Sequence, residues 1–358
     1  MKPSSRSRAA VSVAVAWPAP PRRAIVPVFL PFFGCPRRCL FCSQEAQTGR
    51  RAPGPADLAP LLAEARQCLE LRAARGLPPA ELAFYGGTFT ALPPEALDAC
   101  LAFAAAMQAA GLASSFRCST RPDRVDAAIL RRLAGAGCAT VELGVQSFSG
   151  RALALTGRGY TGREAKWACA QVRDSGLALV VQLLPGMPGV TPEVFRADVR
   201  AALEAGATAL RFYPCLVLEG TGLAARWRAG EYMPWDLELT LDTLAEGWRM
   251  ARKAGALVLR MGVASGEDLG RALLSGPWHP ALGGRVLGRA LWLEVRELLR
   301  TLRRHEGAGA LHLDVPAHAQ GHFWGHGGEL REGWAALGLG PGQVRFAREP
   351  VLRLWVEE

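Results

Sequence analysis

The sequence predicts an α/β protein. It reads as a partial or near-complete parallel (β/α) barrel followed by a small α+β unit at the C-terminal end. Three observations carry this prediction. Helical stretches end in glycine and pass at once into apolar, strand-like runs, in "AAGLASSFRCS", "GAGCATVELGV", "DSGLALVVQLL", "EAGATALRFYP" and "KAGALVLRMGV". Several of those runs hold one polar residue in an otherwise apolar strand: Glu142, Gln182, Arg211 and Arg260. Beyond residue 305 the alternation gives way to a separate strand–helix–loop–helix–strand pattern.

In chain order, residues 1–23 are basic and proline-rich and read as a disordered lead. Lys2, Arg6 and Arg8 before "AAVSVAVAW" imitate a short signal peptide, but the chain then runs into "PAPPRR" without a small-residue cleavage site. "AIVPVFLPFF" (24–33) has the length and apolarity of a first strand, and "ELAFYGG" (81–87) of a second. "ADLAPLLAEARQCLELRAARG" and "PPEALDACLAFAAAMQAAG" supply helices between strands. The glycines at 111, 137, 176, 206 and 255 sit where a left-handed cap turns a helix into the next strand. Alternating helices and apolar strands mean a parallel sheet covered by helices.

The buried polar residues favour a barrel over an open sheet. Burying such a group without a partner costs about 2–7 kcal/mol. Four of them at comparable places on successive strands point to one shared polar cavity. In barrels the site forms at the carboxyl ends of the strands. There the polar segments "GGT", "CST" and "GVQS" fall. The core is expected over 24–215. Residues 216–305 read as a mostly helical extension with one late strand near 256–262, and 308–358 as the small C-terminal unit.

Composition bounds the function. Half the residues are apolar and 21% are charged, enough for a substantial core. The formal charge is +10, carried almost wholly by arginine, since lysine occurs at 2, 166 and 253 alone. A GC-rich genome explains such a composition, and so does a polyanionic partner. Nine cysteines, six of them scattered singly, give no disulfide framework and suit a reducing cytosol. No apolar run is long enough to span a membrane. A cytoplasmic protein is expected.

"GCPRRCLFC" holds Cys35, Cys39 and Cys42 in a C-x3-C-x2-C spacing. Structural zinc wants a fourth ligand nearby. The next cysteine is Cys68, in a helical pattern, and the first histidine is His279. A redox pair needs two cysteines. An iron–sulfur cluster on three thiolates leaves one iron open to another ligand. Gly157 to Gly162 spells GxGxxG, but it lies about nine residues beyond the preceding strand. The dinucleotide fingerprint must instead join a strand directly to a helix.

This spacing after a first strand, with "FYGGTFT" ending the second, resembles the radical S-adenosylmethionine (SAM) superfamily. The resemblance implies a 4Fe-4S cluster on Cys35, Cys39 and Cys42, whose open iron chelates SAM. Reductive cleavage of SAM would then yield a 5′-deoxyadenosyl radical, and Phe41 is suited to shielding the cluster. It also implies cofactor contacts at Gly86, Gly87 and Thr88, at Ser119 and Arg121 ("CSTRPD"), and at Glu142 and Gln146 ("VELGVQS"). Arg158 ("LTGRGYT") and Gln182 ("VVQLLPGMPG") complete the expected set. The glycine stretch is also explained by an ordinary turn, and each polar side chain by hydrogen bonding within the barrel.

"VPVFLPFFGCPRRCLFC", "AFYGGTFTALP", "STRPD" and "LRFYPCLVLEGTGLAARWRAGEYMP" resemble the radical domain of the Elongator catalytic subunit and its short bacterial relatives. "VLRMGVAS" and "GPWHPALG" continue the likeness to about residue 285. The resemblance implies a radical SAM enzyme that modifies RNA, specifically tRNA, with a reductant such as ferredoxin or flavodoxin. Too few residues follow "GPWHPALG" for an acetyltransferase domain, so acetyl transfer is not expected. "GVQSF" before "RGYT" is also similar to oxygen-independent coproporphyrinogen dehydrogenase, which leaves a porphyrinogen substrate open. A non-catalytic cluster- or RNA-binding protein is the third alternative. In the tail, Gly325 to Gly328 fall at a helix–helix turn, where KH domains clamp nucleic-acid backbone with a GxxG loop. An ordinary tight turn has the same glycines. His318, His322 and His326 are spaced along one helix face, read here as solvated.

Overall fold

The structure, a computed structural model, describes residues 12–17, 19, 24–302 and 310–357. Its first element is a strand, β1 (Ser12–Ala16). It is followed by β2 (Ile25–Phe29), β3 (Ala80–Tyr85), β4 (Ala113–Thr120), β5 (Cys138–Gln146), β6 (Ala178–Leu183) and β7 (Ala209–Phe212). A short β8 (Val217–Leu218), then β9 (Leu257–Met261) and β10 (Leu273–Ser275), lead to β11 (Ala310–Pro316), β12 (Val344–Ala347) and β13 (Val351–Glu357).

The seven strands read from sequence form one sheet in the order β2-β3-β4-β5-β6-β7-β9. Every pairing in it is parallel. Strands β3 and β5 are buried almost throughout, as expected where helices cover a parallel sheet. The sheet is curled: Phe29 of the first strand and Arg260 of the last line the same cavity. The edge strands β2 and β9 are not paired with each other, so the barrel is partial. Helices fill the crossovers, among them Leu58–Ala74, Pro94–Ala109, Gly162–Asp174 and Pro192–Glu204. The helix Gly162–Asp174 starts at a full capping box, Thr161 with Glu164. The five cap glycines all have positive φ.

The chain divides into two compact units. The sheet unit comprises residues 22–243 and 250–280; the other comprises 1–21, 244–249 and 281–358. The second unit corrects two expectations. The lead is not disordered throughout: β1 pairs antiparallel with β13, from Ser12 opposite Trp355 to Ala16 opposite Val351. Val13 and Val15 pack on the core of that unit. Residues 1–11, 18 and 20–23 of the lead lie outside the described residues. The partner strand is more than 330 residues away in sequence, which no local pattern signals.

The helix Leu282–Leu302, expected in the extension, belongs with the C-terminal unit. Its Leu291, Val295, Leu299 and Leu302 join Leu313, Val315, Phe323, Trp334 and Leu354 in one core. The sheet there runs β1-β13-β11-β12, with β11 and β12 parallel across the two short helices Gln320–Phe323 and Arg331–Ala336. Gly325 to Gly328 form the turn between those helices, as expected. There the Glu329 carboxylate accepts the His326 N–H at 3.2 Å and pairs with Arg285.

Candidate active site

A cavity of about 340 Å³ opens at the carboxyl ends of the sheet strands. All twelve residues expected to hold a cluster or cofactor line it: Cys35, Cys39, Cys42, Gly86, Gly87, Thr88, Ser119, Arg121, Glu142, Gln146, Arg158 and Gln182. They come from the loop after β2, from the ends of β3, β4, β5 and β6, and, for Arg158, from the loop between the helices Gly150–Leu155 and Gly162–Asp174. Phe41 lines it as well.

The cysteine loop is built against the glycine turn. Leu30 N–H donates to the Tyr85 carbonyl at 2.7 Å, and Thr88 N–H to the Phe33 carbonyl at 2.8 Å. A Cβ on Gly87 would stand 2.1 Å from the Phe33 carbonyl oxygen. A Cβ on Gly34 would stand 2.5 Å from the Thr88 carbonyl oxygen. Glycine is therefore required here by the approach of one backbone to another. Thr88 Oγ1 lies 3.4 Å from Cys35 Sγ.

Two arginines converge on Cys39. Arg158 donates to its sulfur at 3.1 Å, and Arg121 reaches it at 3.8 Å. Both guanidiniums are fixed. Asp123 holds Arg121 at 2.8 and 3.0 Å, and Arg158 donates to the Tyr160 hydroxyl at 3.0 and 2.8 Å. Burial works against the Arg158 charge, but Tyr160 and Cys39 more than offset it, so Arg158 stays cationic. Burial, and then the neighbouring thiols Cys39 and Cys35, push Cys42 up to about 12. Burial likewise raises Cys35.

These residues fit an iron–sulfur cluster. Three soft donors converge where their thiolate charges repel and are poorly solvated, so bound cationic iron would stabilise them. The two arginines offset the remaining negative charge. Among the described residues no group of three or more His, Cys, Asp or Glu is arranged to hold a single metal ion. Among the described residues no histidine lines the cavity to complete a zinc site.

Away from the cysteines, a row of charges runs along and behind the cavity wall. Glu81 on β3 pairs with Arg117 on β4, Arg117 with Glu142 on β5, and Glu142 with Arg211 on β7. Glu142 is fully buried. Its carboxylate accepts from Tyr85 Oη (3.1 Å), Arg117 (3.1 Å), Gln182 (3.1 Å) and twice from Arg211 (2.7 and 2.9 Å). Burial alone would raise this carboxyl, yet Arg211, Gln182 and Arg117 together hold it below the usual range. With five protein donors satisfied, Glu142 acts by fixing Arg211, Gln182 and Tyr85. Gln182 also donates to Ser119 Oγ at 3.2 Å. Gln146 has a left-handed φ of 67°, a strained conformation at the end of β5. The decoy GxGxxG lies between two helices, Gly150–Leu155 and Gly162–Asp174, not after a strand.

Several lining residues were not singled out from sequence: Gln44, Tyr85 and Tyr213. Glu81 and Arg117 behind the wall escaped as well. A charged residue in the apolar runs "ELAFY" and "FRCST" was the available signal.

The sequence profile described as "Radical SAM superfamily" matches residues 29–202, and "Radical_SAM C-terminal domain" matches 207–289. A tRNA uridine(34) acetyltransferase of Methanocaldococcus jannaschii is 31% identical over 185 residues, covering 46% of this chain and 34% of that protein. Elongator complex protein 3 of Dictyostelium discoideum is 31% identical over 133 residues, 36% of this chain and 23% of that protein. The matches thus span 34% and 23% of those relatives' length. The structure of the archaeal Methanocaldococcus infernus Elp3 with an N-terminal deletion superposes with a TM-score of 0.57 and 23% identity. It covers 77% of this chain and 63% of that one, a likeness of fold.

Proposed function

This chain belongs to the radical S-adenosylmethionine superfamily, and on that premise we propose that it cleaves SAM reductively and uses the product radical to modify RNA, specifically tRNA. The observation that carries the first half is the convergence of Cys35, Cys39 and Cys42 with nine polar or glycine positions around one cavity. When bound to the three cysteines, a 4Fe-4S cluster supplies the electron that breaks the sulfonium of SAM.

The chain's own residues bind, orient and shield. Cys35, Cys39 and Cys42 hold the cluster, with Arg158 and Arg121 offsetting charge at Cys39. Ser119 and Gln182 offer polar contacts to the nucleoside part of SAM, and Gly86, Gly87 and Thr88 offer backbone to its amino-acid part. Glu142 keeps Arg211 and Gln182 in place. Phe29, Phe32 and Phe41 bring apolar surface to the cysteine side of the cavity and exclude water.

The RNA substrate is supported by the names of the relatives, tRNA uridine(34) acetyltransferases and Elongator complex protein 3. The +10 formal charge agrees with a polyanion. Acetyl transfer is not part of the proposal. The electron comes from a small carrier such as ferredoxin or flavodoxin.

Anaerobically reconstituted protein is expected to show a 4Fe-4S spectrum and to release 5′-deoxyadenosine and methionine from SAM. Cys39→Ala is expected to lose both. Undiminished cleavage by that variant would overturn the cluster assignment. Mass spectrometry of tRNA nucleosides from a deletion strain tests the substrate, and an unchanged profile would count against tRNA.

A further inference from the structure

Gln44 stands two residues after the last cysteine, at the start of the short helix Gln44–Thr48. Its side chain reaches back across the site. The amide oxygen accepts two backbone hydrogen bonds, from Phe32 N–H at 2.6 Å and from Gly87 N–H at 2.8 Å. Phe32 lies in the cysteine loop and Gly87 in the glycine turn, 55 positions apart in the sequence. Both have left-handed backbone, φ 58° at Phe32 and 59° at Gly87. For phenylalanine that conformation is uncommon and persists where surroundings fix it. The oxygen also lies 3.3 Å from where a Cβ on Gly86 would stand.

We propose that Gln44 is a positioning residue that locks the cysteine loop to the glycine turn, so that cluster and SAM are presented to each other in one fixed register. It touches the strained residue that opens the cysteine loop and the turn expected to hold the amino-acid part of SAM. One acceptor oxygen serves both backbone donors, so a change in either loop is felt by the other. A buried N–H deprived of its acceptor is destabilising, and two are lost together if the oxygen is removed. The lock rests on the radical SAM reading for its purpose, but its geometry belongs to this chain.

Two variants separate the roles. Gln44→Met keeps the length and removes the acceptor. Gln44→Glu keeps an acceptor oxygen. In the reconstituted full-length protein, hydrogen–deuterium exchange at the Phe32 and Gly87 amides is expected to rise about tenfold or more in Gln44→Met. It should stay near wild type in Gln44→Glu. Iron release to a chelator should follow the same order, and SAM affinity should fall about tenfold in Gln44→Met alone. The proposal is overturned if both amides in Gln44→Met exchange as slowly as in wild type, or if Gln44→Glu exchanges as fast as Gln44→Met. Exchange is read without SAM. A wild-type protein that bound no SAM would therefore count against the proposed function, while the exchange rates would still decide the lock.

Discussion

Asp198 is 3% exposed and accepts from Ser147 Oγ at 2.6 Å and Phe148 N–H at 2.7 Å. It thereby pins the segment just after the strained Gln146. Burial pushes its carboxyl up to about 6, against those two hydrogen bonds. The unfolded value is near 4. The folded chain therefore holds this proton more tightly than the unfolded chain. The resulting stabilisation is complete below about pH 4 and is lost as pH rises through about 6, on the order of 2–3 kcal/mol. Asp198→Asn should flatten stability across that interval, as measured by denaturant unfolding at several pH values. Gly87→Ala makes a second residue-scale case. It places a methyl 2.1 Å from the Phe33 carbonyl oxygen at a φ of 59°. The left-handed conformation alone costs about 1–2 kcal/mol. Reconstituted Gly87→Ala should bind markedly less iron than wild type, by iron analysis. The glycine pair was legible in sequence as a contact for a cofactor. Its steric necessity was not, because the partner backbone comes from a loop more than 50 positions away.

Among the elements, the sheet strands were legible and β1 was not. Each strand from β2 to β9 in the large sheet is an apolar run bounded by turn residues, and most follow a helix closed by glycine. β1 alternates weakly, in a basic and proline-rich context, and its stability comes from β13. Val15→Asp should test this. It places a charge against the core formed by Leu352, Leu354 and the helix Leu282–Leu302. A loss of about 1–3 kcal/mol is expected by thermal unfolding. Iron content after reconstitution should be unchanged, because the cysteines belong to the other unit. The helix Leu282–Leu302 was legible as part of the mostly helical stretch 216–305. Its assignment to the C-terminal unit depends on what its apolar face meets, and amphipathicity does not name a partner.

For the whole molecule, the +10 charge sets an expectation about association rather than fold. If tRNA is the partner, log affinity should fall linearly with log salt, with a slope of about −0.7 to −0.9 for each phosphate contacted. Titrations between about 50 and 200 mM salt should weaken binding by tenfold or more. A salt-independent affinity would argue against backbone contacts and for a small-molecule substrate. Among the described residues no helix is long and apolar enough to cross a membrane.

The sequence by itself determined the parallel sheet and the three-cysteine motif. Those features are written in local spacing: the period of apolar residues, a glycine after each helix, and thiols three and four positions apart. Tertiary structure alone decided which residues face an open cavity and which are saturated by neighbours. Glu142 shows the difference. Its place on β5 was readable, but the five donors around it come from β3, β4, β6 and β7. The role of Gln44 was decided in the same way, since its two backbone partners meet only when the strand ends are brought together. Hydrogen bonds act over about 3 Å, and the groups that make them here are set side by side by the curl of the sheet, which local sequence does not record.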